Sequence, residues 1–209
     1  MTEPELPPHR QKRASLFASF GFAIDGVLRT LCTQRNMRIH WLSGTAVMMV
    51  GMALNLDIAS RSGVMFCVFV VICMEVLNTA LEAFVDLHVK EYERTAMVAK
   101  DAAAAAVLVL ALGAVVVLAD VLFHAWRMVE SSGPAIVRTV VLGLPLLGLL
   151  GAVLWLPRKI WRIGLFTAIE IGLLAVLAWY SRDEIFSLGA LSFVCSAAYA
   201  RSQEPRLLA

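Results

Sequence analysis

The strongest constraint on this chain is that its apolar residues come in blocks long enough to cross a bilayer. A membrane-spanning helix needs roughly 17–25 such residues. Six blocks answer to that: 40–56, 63–81, 102–119, 140–156, 163–180 and 185–200, the last short enough to be re-entrant instead. Charged residues make up only 16% of the 209, against 60% hydrophobic, which excludes an ordinary soluble domain. Only helices and closed barrels satisfy every backbone group in lipid, and runs of this length specify helices. The fold class expected is therefore all-α, a polytopic membrane helical bundle.

Lysine and arginine placement orients the bundle. With six crossings and both termini cytoplasmic, one side holds Arg10, Lys12, Arg13, Arg29, Arg35, Arg38, Lys90, Arg94, Lys100, Arg158, Lys159, Arg162, Arg201 and Arg206. The other holds Arg61, Arg127, Arg138 and Arg182. A split of fourteen to four among the eighteen selects the cytoplasmic assignment for both ends. The polar opening "MTEPELPPHRQKR" reads as a cytoplasmic tail and not as a secretory signal. A net charge of +2 gives no reason to invoke nucleic acid. Cys32, Cys67, Cys73 and Cys195 form no CxxC pair and read as packing thiols.

Ahead of the first span, residues 14–33 place Leu16, Phe17, Phe20, Ile24, Val27, Leu28 and Leu31 at helical spacing. Ser15, Ser19, Arg29 and Thr30 fall largely opposite, so this is expected to be an amphipathic helix lying in the interface. The charged "DLHVKEYERTAMVAKD" is expected to be a cytoplasmic loop between the second and third spans. "SSGP" at 131–134 should end a helix before the last three spans.

One helix end is unusual. "MEVLNTALEAFVDL" (74–87) leaves the second apolar block carrying Glu75, Asn78, Thr79, Glu82 and Asp86. At about 100° per residue these five stay within about 60° of one line, while Val76, Leu77, Leu81 and Phe84 point elsewhere. The stripe rises about 16 Å, at 1.5 Å per residue. For Asp86 a solvated helix end explains enough. Glu75 sits roughly two turns deeper, where an acid costs a few kcal/mol and marks a functional site by default. At the same membrane level lie Gln34, Arg35, Asn36, Arg38, Glu91, Tyr92, Lys100 and Asp101. Carboxylates and an amide facing cations suit Mg²⁺ and phosphate chemistry, yet the chain has no P-loop and no kinase-type glycine loop.

At these residues the chain resembles the small bacterial integral-membrane diacylglycerol kinase/undecaprenol kinase family. The signature E-x-x-N-[ST]-A-[IL]-E-x-x-[VI]-D is matched by "EVLNTALEAFVD", and the likeness continues through "EY" to "AKDAAAAAVL". Upstream, "TQRNMRIH" (33–40) resembles the T-x-R-N-x-R-I-H of the undecaprenol-kinase-like branch. The resemblance implies an ATP-dependent lipid kinase of the bacterial inner membrane. It also implies a homotrimer of three-span protomers that transfers the γ-phosphoryl group of MgATP to a lipid hydroxyl. Undecaprenol is favoured over diacylglycerol on the "RNMRIH" likeness alone.

Carried over by position, Glu75 is the general base, Asn78 orients the site and Glu82 holds Mg²⁺. Glu91, Tyr92, Lys100 and Asp101, with Glu82, contact ATP, and Arg29, Asn36 and Arg38 join Glu75 toward the lipid. Three departures stand out. The usual glutamate partner of Glu82 at the metal is Gln34, Asp25 stands where a lysine is common, and Glu93 where a histidine often follows "EY". The kinase domain is expected over 15–125, after a tail at 1–14 and before a C-terminal membrane region at 126–209. In that region Glu170 is the one intramembrane acid, equally a substrate or proton site and a packing carboxyl. The rival from another class is a degenerate kinase or transport component whose working part is the C-terminal bundle.

Overall fold

A computed structural model of the chain describes residues 16–181 and 183–208. The expected tail at 1–14, with Arg10, Lys12 and Arg13, and also Ser15 and Arg182, lie outside the described residues. The remainder is helical, with no strand among the described residues: α1 Leu16–Thr33, α2 Arg35–Ala53, α3 Ile58–His88, α4 Arg94–His124, α5 Trp126–Ser131, α6 Gly133–Trp155, α7 Ile160–Tyr180 and α8 Glu184–Leu208. The chain is an all-α polytopic membrane bundle.

Among the described residues, six helices are long and apolar enough to cross a membrane: α1, α3, α4, α6, α7 and α8. Five are expected spans. The sixth expected span, α2, is more polar, but packing carries it through the depth of the bundle as the antiparallel partner of α8. Near one end Trp41 stacks on Phe193 with ring centroids 4.5 Å apart, and its indole N–H donates to the Phe193 carbonyl at 2.9 Å. Further along, Gly189 lies against Met48, and a Cβ there would be 3.0 Å from the Met48 sulfur. At the far end Gly51 lies under the Phe186 ring, where a Cβ would come within 2.5 Å of ring carbons. The pairs 51–186 and 48–189 keep one register, as two straight antiparallel helices must.

The structure changes three expectations. The segment 185–200 is no re-entrant stub, because α8 runs 25 residues, from Glu184 to Leu208. Its extension is held by arginines. Pro205 has no N–H to give the Arg201 carbonyl, and Arg158 Nε takes that carbonyl instead at 3.1 Å. Arg201, itself 5% exposed, donates to the last carbonyls of α6, Val153 at 3.1 Å and Leu156 at 2.9 Å, and pairs with Glu204. Second, most of the expected loop between the second and third spans is helical. α3 continues to His88 and α4 begins at Arg94, leaving only 89–93. Third, α1 buries only its C-terminal end, at Leu28, Thr30, Leu31 and Cys32. Thr30, placed on the polar face by spacing, is inside, with its hydroxyl on the Gly26 carbonyl. Phe17, Phe20, Phe22 and Ile24 are exposed, as lipid contact requires.

The "SSGP" break falls where spacing put it, α5 ending at Ser131 and Pro134 opening α6. Asp57 caps α3, accepting from the backbone of Ala59 and Ser60 and the Ser60 hydroxyl. The Ser60 backbone bond, then its hydroxyl, hold the Asp57 carboxyl below its ordinary range. A depressed carboxyl stabilises above its unfolded value and loses that contribution as pH falls through the folded one. Asp57→Asn should therefore flatten the acid limb of a stability-against-pH curve measured in detergent; an unchanged limb would remove the cap from the account.

Candidate active site

The polar stripe is displayed by one unbroken helix. Exposure along α3 grades as the spacing requires: Glu75 is 1% exposed and Asn78 6%, Thr79 and Glu82 are half-buried, and Asp86 is open. Leu77, Leu81 and Phe84 face outward. Asn78 Nδ2 donates to Glu82 Oε1 at 3.1 Å, which fixes the amide orientation and turns Asn78 Oδ1 inward. That oxygen and Glu75 Oε2 are buried without a hydrogen-bond partner. Buried polar atoms are normally satisfied, so two such orphans one turn apart mark a place built to receive something. The Thr79 hydroxyl is spent on the Glu75 carbonyl at 2.9 Å.

Beneath Glu75 the same face of α3 turns apolar. Val64, Val68 and Val71 lie 11, 7 and 4 residues before it, all within about 40° at 100° per residue. They wall a cavity of about 160 Å³ between α2, α3 and α4, bounded also by Val47, Ala111 and Leu118, with His40 and Cys67 its ionisable lining groups. An apolar slot thus lies along the face of α3 that carries Glu75, with Val71 in its wall one turn before that carboxylate. Spacing did not disclose it, because two of its walls come from other helices.

The remaining expected residues divide. Lys100 reaches Asp86 at 2.5 Å, tying the start of α4 to the end of α3. That pair is legible only once 94–101 is known to be helical. Glu91 and Tyr92 are exposed in the 89–93 turn, Tyr92 at 80%, and Asp101 is exposed in the second turn of α4. Gln34 is the hinge residue between α1 and α2, half-buried, with its side chain making no cap bond. Arg29 and Asn36 are exposed beside it. Arg38 turns back to the elbow, donating to the Leu31 carbonyl at 3.1 Å and to that of Cys32. Of the two other departures, Asp25 pairs with Arg206 of α8 at 3.1 Å. Glu93 accepts the Thr95 hydroxyl at 2.9 Å beside the start of α4. Among the described residues, no three His, Cys, Asp or Glu side chains gather closely enough to hold a metal ion by themselves.

Known proteins match the same part of the chain. The family profile described as prokaryotic diacylglycerol kinase covers residues 21–122. A Synechocystis protein named diacylglycerol kinase is 42% identical over 108 residues, 51% of this chain and 62% of that one. An undecaprenol kinase of Bacillus subtilis is 36% identical over 103 residues, 49% of this chain and 84% of the relative. The chain thus spans somewhat under two thirds of the Synechocystis relative. No solved structure matches it significantly. With most of the Bacillus relative's length aligned and the stripe inside the matched segment, the chain belongs to the prokaryotic diacylglycerol kinase family.

Proposed function

We propose that the chain is an ATP-dependent lipid kinase that transfers the γ-phosphoryl group of MgATP to the hydroxyl of a membrane lipid. The observation that carries this is the buried Glu75 carboxylate, with one oxygen unpartnered, on the face of α3 whose preceding turns wall an apolar slot. A lipid hydroxyl delivered by a chain in that slot meets Glu75 Oε2, which takes its proton as the oxygen attacks phosphorus. The proton leaves with Glu75 while the bond to the β-phosphate oxygen breaks, so charge moves outward along the stripe. Asn78 holds Glu82 in one orientation through its 3.1 Å bond. Glu91 and Tyr92, exposed at the 89–93 turn, and Asp101, exposed in the second turn of α4, contact the nucleotide, with Lys100 beside Asp101. Arg29 and Asn36 attend the lipid headgroup, and Arg38 serves it by holding the elbow that carries them.

The donors fit Mg²⁺. They are oxygens only, and such an ion is commonly held by one or two carboxylates plus substrate phosphates, so Glu82 with those phosphates suffices without a cluster of three acids. Mg²⁺ when bound neutralises charge on the transferring phosphates. Gln34 completes the set from the elbow. Gln34→Glu should lower the Mg²⁺ concentration for half-maximal activity several-fold, since it adds charge to the site; an unchanged titration removes position 34 from it.

The preference for undecaprenol ahead of diacylglycerol rests on the likeness of "RNMRIH" to the undecaprenol-kinase-like branch. The kinase domain is assigned to 15–125 in a homotrimer of the bacterial inner membrane, both termini cytoplasmic, on the resemblance and the charge split. The test is transfer of labelled phosphate from ATP to undecaprenol and to diacylglycerol in mixed micelles, with Glu82→Gln as the blank. Transfer to neither lipid ends the kinase reading, and a clear preference for diacylglycerol reverses the substrate alone.

A further inference from the structure

The kinase reading leaves the opposite end of the bundle without a role. There a second cavity, of about 460 Å³, opens where the two halves of the chain meet. Asn55 follows α2, Met128, Ser131 and Ser132 come from the α5–α6 turn, Arg138 from α6 and Tyr180 from the end of α7. No lining residue is acidic. We propose that this cavity binds a phosphate group, that of an anionic membrane lipid, with Arg138 as its anchor.

Arg138 is half-buried and forms no ion pair among the described residues. Its guanidinium carbon sits 4.2 Å from the centroid of the Tyr180 ring. Stacking of this kind fixes the plane of the group but uses none of its N–H donors. The fork is held ready and grips nothing among the described residues. The Ser132 hydroxyl and the Asn55 amide line the same space with no hydrogen bond inside the chain among the described residues, so neutral donors flank the cation. A tetrahedral oxyanion is what a guanidinium and such donors recognise best. The size falls in the range of ligand pockets. That the anion comes on a lipid follows from the level of the cavity: Trp126, Trp179 and Tyr180 are all exposed at this end, as aromatic side chains at the headgroup boundary are.

The assignment stands apart from the kinase site, which lies at the other end of α3, so one can fail without the other. The probe is phosphatidylglycerol, a phosphodiester that is not a product of either proposed reaction. Its retention by the purified full chain is read by native mass spectrometry across a lipid titration, with inorganic phosphate as a separate ligand. Arg138→Gln should raise the half-saturating lipid concentration about tenfold or more, as loss of a charge-assisted bond does. Ala135→Glu, which puts a like charge on the cavity wall, should do the same, whereas Ala135→Gln should not. Glu82→Gln should bind phosphatidylglycerol as the unmodified chain does. Retention unchanged in both Arg138→Gln and Ala135→Glu overturns the site. Arg138-dependent binding of inorganic phosphate without retention of the lipid overturns the lipid source and assigns the cavity to a soluble ion.

Discussion

Glu75→Gln is expected to lower kcat by roughly 10²–10⁴-fold while leaving the KM for ATP nearly unchanged, the usual cost of removing one positioned acid–base group. The amide keeps the shape of the side chain, so the loss reads the proton and not the packing. Glu82→Gln should behave differently. It removes charge from the metal-facing end of the stripe, so turnover should vanish at ordinary Mg²⁺ and the Mg²⁺ dependence of nucleotide binding should weaken. The contrast is the measurement: initial rates over a matrix of ATP and Mg²⁺ for both variants. Near-normal turnover in Glu75→Gln removes it as the base, and identical phenotypes in the two would dissolve the division of roles.

The second large effect lies far from the chemistry. Phe186 is fully buried, with its ring against Gly51 at a separation that admits no β-carbon. Truncating a buried phenylalanine to alanine costs about 3–5 kcal/mol where the site cannot collapse. Helix association in lipid rests on such packing, since the tails are as apolar as the side chains. Phe186→Ala should therefore lower the unfolding midpoint in detergent sharply. Gly51→Ala should also destabilise, by about 1–3 kcal/mol, through overpacking. The double variant should recover stability relative to the sum of the two, because the added methyl enters the space the ring vacated. Simple additivity would show that the two residues do not meet.

The legible parts of this protein were those written in local periodicity. Glu75, Asn78, Glu82 and Asp86 share one line because helix geometry allows nothing else, and their graded burial follows from a helix leaving an apolar layer. Boundaries were less legible. The polar run from Arg94 to Asp101 looks like a loop by composition, yet helix α4 takes it in, because a terminus beyond the apolar layer tolerates charge. The partners of α2 could not be read at all. Which apolar face meets which is decided by shape, Gly51 against Phe186 and Gly189 against Met48, and shape has no period. Asp25 is instructive. Beside the resemblance it is a departure with no reason, and in three dimensions it meets Arg206, 181 residues away, from the part of the chain that the family profile does not cover.

The pairing of α2 with α8 also sets an order of assembly. Chains enter the membrane from the N-terminus as they are made, and domains complete themselves in that direction where they can. α2 cannot. The residue its indole bonds, Phe193, lies 152 positions later, so Trp41, Met48 and Gly51 lack their α8 neighbours until that helix leaves the ribosome. During synthesis the early helices must wait beside the insertion machinery, or borrow cover from lipid or another protein, and the bundle locks in one late step. A ribosome stalled before residue 184 should leave α2 open to protease and thiol probes, and release of α8 should close it.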